Sequence, residues 1–203
     1  MTEFYIVRHG KTDANLAGLK QGVINTPNTY LNDLGKAQAD KLHRGFDLRG
    51  FTQIYSSPLV RTKQTTEILN QTAHLPVTFD PRLLEISYGD WDGQVNAELQ
   101  QRYPEYFDHT VNDVRPEYVT IAHGESFEQV EARVRTFTKD VAKAQPTGKI
   151  LIVTHGFTVR SFAINATQSS GLTILEPDNC SVTKILVDPT SGSEHLVYYN
   201  RLY

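Results

Sequence analysis

Two short stretches of the chain are apolar without interruption. Phe4-Tyr5-Ile6-Val7 runs straight into Arg8-His9-Gly10, and Ile150-Leu151-Ile152-Val153 runs into Thr154-His155-Gly156. Continuous apolar runs of this length predict strands buried on both faces. Elsewhere the period changes. Phe127, Val130, Val134, Phe137 and Val141 recur alternately three and four residues apart, which predicts a helix over 125–144 with one apolar stripe. Pro146 and Gly148 end it. Asn32 or Asp33 offers a cap for a helix over 34–46, and Pro58 suits the first turn of another over 58–73. Shorter helices are predicted over 95–103 and 157–166, and further strands over 51–55, 77–79, 181–187 and 194–199. The polar stretch 11–26 reads as a loop with a short helical turn. Residues 104–123 hold two prolines, several charges and little periodicity, and are expected to form an insertion or lid.

Strands and helices alternate. That predicts an α/β fold: a mostly parallel central sheet with helices on both faces, and an antiparallel edge made by the last two strands. A length of 203 residues suits a single domain spanning 1–203, with 104–123 as a small insertion over the active site. Hydrophobic residues at 39% and charged residues at 21% exclude a disordered chain. The net charge of -3 argues against a general nucleic-acid binder, so any anion site must be a local cluster of positive groups. A single cysteine, Cys180, excludes an internal disulfide. No stretch approaches membrane-spanning length and no basic segment precedes an apolar run at the start, so no membrane partner is expected and the chain reads as soluble and cytoplasmic.

The two apolar strands end alike, each in a histidine followed by a glycine. In a parallel sheet their carboxyl ends lie on one edge, where open α/β sheets bind ligands. Both imidazoles can therefore meet in one cleft, with Arg8 beside His9. An imidazole next to a guanidinium points to phosphate chemistry, because arginine offers a planar fork to phosphate oxygens and a neutral imidazole is a nucleophile. Arg61, one turn into the helix after Ser56-Ser57-Pro58, can face the same anion. The competing readings are structural: strand-end histidines at the surface and a solvated helix arginine.

The ordered blocks along nearly the whole chain resemble the histidine phosphatase superfamily, the group that includes cofactor-dependent phosphoglycerate mutases. Arg8-His9-Gly10-Lys11-Thr12 with Asn15 is similar to its opening signature. Leu31-Asn32-Asp33-Leu34-Gly35 with Gln38-Ala39 resembles the start of its first long helix, and Ser56-Ser57-Pro58-Leu59 with Arg61-Thr62 its second block. Leu84-Glu85-Ile86-Ser87-Tyr88-Gly89-Asp90-Trp91-Asp92-Gly93 looks like the acid-bearing loop. Gly124-Glu125-Ser126, Val153-Thr154-His155-Gly156 and Asn179-Cys180-Ser181 complete the likeness.

The resemblance implies a phosphomonoesterase. His9 would be the nucleophile that forms a phosphohistidine, and water would hydrolyse it. Arg8, Arg61 and His155 would neutralise the phosphoryl oxygens. Glu85 would protonate the leaving oxygen and then act as base toward water, which requires a raised pKa. Asn15, Thr12, Gln21, Gly22 and Ser126 would add polar groups around the substrate, with His123 at the rim. Cys180 reads as a packed residue, and the scheme requires no metal and no cofactor. The partner would be a small phosphomonoester. Mutases of this group typically continue Arg-His-Gly with Glu-Ser and carry Glu-Arg-His-Tyr-Gly around the acid. Here the residues are Lys11-Thr12 and Glu85-Ile86-Ser87-Tyr88-Gly89, which favours a phosphatase. The alternatives are a cofactor-dependent mutase and, in another class, a catalytically weak binding or regulatory module.

Overall fold

A computed structural model describes residues 1–203. Its centre is a six-stranded sheet built from β1 (Thr2–Arg8), β2 (Gln53–Ser56), β3 (Val77–Phe79), β6 (Lys149–Thr154), β7 (Val182–Val187) and β8 (Glu194–Arg201), ordered β3-β2-β6-β1-β7-β8. The first four of these strands are mutually parallel; β7 runs antiparallel to β1, and β8 antiparallel to β7. The antiparallel edge predicted from the last two strands is thus present, with β7 one strand in from the edge, beside β1. β1 pairs with β6 from Glu3↔Lys149 to Arg8↔Thr154, so the two histidines that follow leave the sheet side by side.

The alternation of side chains explains why both strands are apolar throughout. Phe4, Ile6, Ile150 and Ile152 point into one core, packed under α6 (Phe127–Ala144) and α7 (Gly156–Thr167). Tyr5, Val7, Leu151 and Val153 point into the other, under α2 (Asp33–Gly45) and α3 (Val60–Asn70). Each fully buried aliphatic side chain stabilises by roughly 1.5–3 kcal/mol, so burial on both faces holds these two strands firmly in place.

Helix boundaries follow local chemistry. Asn32 caps α2 by accepting from the Gly35 amide over 2.9 Å. Ser126 caps α6 in a reciprocal pair with Gln129. Thr12 and Asn15 make the same box at the short α1 (Asp13–Leu16). Residues 104–123 contain a two-stranded hairpin, β4 (Phe107–Asp108) with β5 (Asp113–Val114), and a short α5 (Val119–Ala122) after α4 (Asn96–Arg102). Phe107, Val114, Tyr118 and Ala122 are buried in the larger core, around Trp91. Sequence periodicity misses this segment because its elements are only two to four residues long. No helix is long and apolar enough to cross a membrane.

Candidate active site

His9 leaves β1 at the carboxyl edge of the sheet, and its backbone is clamped there. Its amide donates to Thr154 O over 2.9 Å, and its carbonyl accepts from Asn179 Nδ2 over 2.8 Å. The ring has one proton to share when neutral. Nδ1 lies 2.7 Å from Gly10 O, and a carbonyl only accepts, so the proton sits on Nδ1. Nε2 therefore keeps its lone pair. Burial, then the charges of Arg61 and Arg8, push the His9 pKa well below the usual imidazole range, so the ring is neutral near pH 7.

His155 ends β6 and precedes α7. Its ring centroid is 5.3 Å from that of His9, close to edge-on. Arg61 Nε donates to His155 Nδ1 over 3.1 Å, so a neutral His155 carries its proton on Nε2, which lies 2.8 Å from Ser57 Oγ. Burial and Arg61 also hold its pKa well below the usual range. Arg61 itself is buried, and its guanidinium donates to the carbonyls of Ile24 and Gly22. Burial lowers its pKa to about 10, and it stays cationic at neutral pH. Arg8 is held by Pro177 O and faces Glu176 at 3.3 Å, and its buried Nε has no partner.

Glu85 sits on the amino terminus of α7. Its carboxylate accepts from the amides of Phe157 (3.3 Å) and Thr158 (3.2 Å) and from the Thr158 hydroxyl (3.2 Å). Those donors and the helix field favour the anion. Burial opposes them most strongly, the charge of Glu176 adds to burial, and the net effect raises the pKa despite Arg8 and Arg61. Asp92 braces the acid-bearing loop by accepting from the Tyr88 amide over 2.9 Å.

Arg8, His9, Asn15, Gln21, Gly22, Arg61 and Glu85 line one cleft of about 200 Å³, together with Gly18, Leu19, Lys20, Tyr88, Asn96 and Glu176. His155, Ser126, Thr12 and His123 do not line it; His155 is fully buried, against Arg61 and Ser57. Ser126 is spent on capping α6, a role its spacing to Gln129 already encodes. Thr12 is fully buried behind the cleft, capping α1 and donating to Gln21 Oε1 over 3.1 Å. His123 is exposed and meets Asp90 instead. Cys180 is buried, with its thiol pushed up to about 12 by burial, as suits a packing residue. Lys20, Asn96 and Glu176 escaped the sequence reading because they lie in irregular segments or a short helix with no motif around them. A larger hollow of about 630 Å³ lies elsewhere, between α6, α7 and the β7–β8 turn, and contains neither strand-end histidine. No three His, Cys, Asp or Glu side chains converge as metal ligands would.

A neutral imidazole with a free lone pair, buried beside two guanidinium groups and a carboxyl of raised pKa, is the equipment of phosphoryl transfer. The chain belongs to the histidine phosphatase superfamily (branch 1), which it matches over residues 4–201. It is 32% identical over 161 residues to phosphoserine phosphatase 1 of Hydrogenobacter thermophilus, covering 79% of this chain and 74% of that one. It is likewise 32% identical over 156 residues to a probable phosphoglycerate mutase of Proteus mirabilis, covering 77% and 70%. The solved structure of YhfR from Bacillus stearothermophilus superposes with a TM-score of 0.87 at 28% identity, covering 100% of this chain and 98% of that one.

Proposed function

We propose that this enzyme hydrolyses small phosphomonoesters in two steps, both centred on His9. In the first, His9 Nε2 attacks phosphorus, the phosphorus–oxygen bond to the alcohol breaks, and Glu85 gives its proton to the departing oxygen. In the second, the Glu85 carboxylate takes a proton from water, which attacks the phosphohistidine and releases inorganic phosphate. Arg8 and Arg61 offset the charge on the transferring oxygens, and His155 donates to them from Nε2 on leaving Ser57. The observation that carries the reading is the bond from His9 Nδ1 to Gly10 O, which leaves Nε2 unprotonated at the cleft.

Phosphatase is favoured over mutase by Lys11-Thr12 after the first histidine and by Ile86-Ser87 after the acid, where mutases typically carry other residues. The partner we propose is a free small molecule and not a nucleic acid, given the net charge of -3. A phosphorus NMR time course tests the reading. The protein receives 3-phosphoglycerate seeded with its bisphosphate, alongside a panel of phosphomonoesters that includes phosphoserine. Inorganic phosphate from panel members without 2-phosphoglycerate is the expected result. Growth of 2-phosphoglycerate with little free phosphate would make the chain a mutase. Neither product would favour the binding module.

A further inference from the structure

Glu176 places a carboxylate in the cleft that has to receive a phosphoryl group. It lines that cleft beside Arg8, Arg61 and Glu85. Its Oε2 lies 3.3 Å from Arg8 Nη2, and the Glu176 and Arg8 side chains stay 28% and 16% exposed, so the pair is open to an incoming anion. The rest of the Arg8 fork is committed: Nη1 donates to Pro177 O, and Nε is buried. Nη2 is the nitrogen Arg8 has to offer, and Glu176 stands against it.

The same carboxylate adjoins the acid. Glu85 rests on the Phe157 and Thr158 amides at the start of α7. Glu176 Oε2 lies over Gly156, one residue earlier, where a Cβ would run into that oxygen and come within 2.9 Å of Arg8 Cζ. Two carboxylates therefore meet at one helix terminus. Burial, and next the charge of Glu176, raise the Glu85 pKa, against Arg8 and Arg61. Other charges near Glu176 are paired among themselves. Lys20 from the 11–26 loop and Arg160 from α7 both bind Asp113 of β5, around an adjoining cavity of about 350 Å³ that Glu176 also lines. Tyr88 borders the cleft, and Tyr199 of β8 donates to the Leu175 carbonyl over 2.5 Å. Burial raises the pKa of both phenols, so neither charges near neutral pH. Arg8 is the cation left to balance Glu176.

We propose that Glu176 is the counter-ion Arg8 gives up to the substrate, and that the freed carboxylate acts as a positioning residue that keeps the proton on Glu85. The inference rests on the phosphatase reading of the cleft. A phosphoryl group carries more charge than a carboxylate and suits the guanidinium fork, so it takes Nη2. Glu176 then loses the cation that balanced it. Its field falls on Glu85, which takes up a proton from water and is armed as the acid only when a phosphoryl group is bound. In the second step the same field makes the Glu85 carboxylate a stronger base toward water.

Glu176→Gln, which keeps the size and removes the charge, tests the exchange, with a matched thermal melt. Inorganic phosphate should inhibit it about three- to fivefold more tightly, the scale of one partly exposed ion pair. The alkaline limb of kcat on an alkyl phosphate should move to lower pH by about 0.5–1 unit, the effect of removing a neighbouring like charge. Glu176→Asp keeps the charge and should keep the parental limb. A residue that only packs would move neither the limb nor phosphate inhibition. Absence of either effect in Glu176→Gln, or a limb displaced equally in Glu176→Asp, overturns the exchange while leaving the phosphatase standing. Release of phosphate from no substrate by the unaltered protein, p-nitrophenyl phosphate included, overturns both.

Discussion

Arg61 donates from Nε to Nδ1 of His155 over 3.1 Å, and its two terminal nitrogens are tied to Gly22 and Ile24 carbonyls. The arginine therefore sets the tautomer of the second histidine, and with it the N–H that faces Ser57 Oγ. Lysine keeps the charge but has no fork to hold three acceptors. Arg61→Lys is expected to lower kcat by about 10²–10³, the scale of losing one preorganised donor. Steady-state kinetics with a matched thermal melt would check this. An unchanged kcat would remove Arg61 from the site.

His9→Ala should abolish turnover and the acid-labile phosphoenzyme together. Rapid quench with radiolabelled substrate reads both. Persistent labelling of the variant would assign the nucleophile to another residue.

The pH profile follows from two opposite shifts. Burial and two arginines hold the His9 pKa well below the imidazole range, so the ring stays neutral, with a free lone pair, even in mildly acidic solution. Burial raises the Glu85 pKa, so its protonated fraction grows as pH falls toward that value. The kcat/KM is thus expected to fall on the alkaline side as Glu85 ionises, and on the acid side only once His9 protonates. Glu85→Gln should slow alkyl phosphates about 10²–10⁴-fold, the usual worth of a general acid, and p-nitrophenyl phosphate far less. Equal losses on both substrates would exclude Glu85 as the acid.

Gly10 and Gly35 bring the strand-end loop directly against the start of α2. A Cβ on Gly35 would run into the Lys11 backbone, within 2.6 Å of its nitrogen. Backbone on both sides leaves no flexible end to yield. Gly35→Ala is expected to destabilise the fold by about 1–3 kcal/mol, in the range of forced overpacking, and to lower activity through Lys11 and His9. Urea denaturation measures the first effect.

Glu194, far from the cleft, has a buried carboxylate oxygen without a partner, and burial raises its pKa to about 7. An acid whose folded pKa lies above its unfolded value stabilises fully below the unfolded value and loses that contribution as pH rises through the folded one. Stability should therefore decline between about pH 4.5 and 7. Glu194→Gln should remove that decline and add roughly 1–3 kcal/mol at pH 8. Denaturant midpoints at pH 5 and 8 check it. A slope unchanged by the substitution would mean that Glu194 is hydrated.

The sheet was legible because Phe4–Val7 and Ile150–Val153 are apolar at every position, which only strands covered on both faces require. The meeting of His9 and His155 followed from their identical placement after those strands. Glu176 and Lys20 were not legible, since their relevance arises only when the loops carrying them fold over the sheet edge. Ser126 was misread for the opposite reason. A strong local signal, the capping box with Gln129, competes with the pocket for the same hydroxyl and takes it.

The strand bearing His9 lies near the start of the sequence and between partners from its far end. Thr2 pairs with Val187 and Glu3 with Lys149. A growing chain emerging from the ribosome thus exposes a fully apolar strand whose neighbours are more than a hundred residues from being made. Until β6 and β7 arrive, β1 has nothing to pair with, and contacts this distant in sequence form slowly. His9 thus gains its surroundings only once the far half of the sheet has been made, and the waiting strand is the segment a chaperone would be expected to shield.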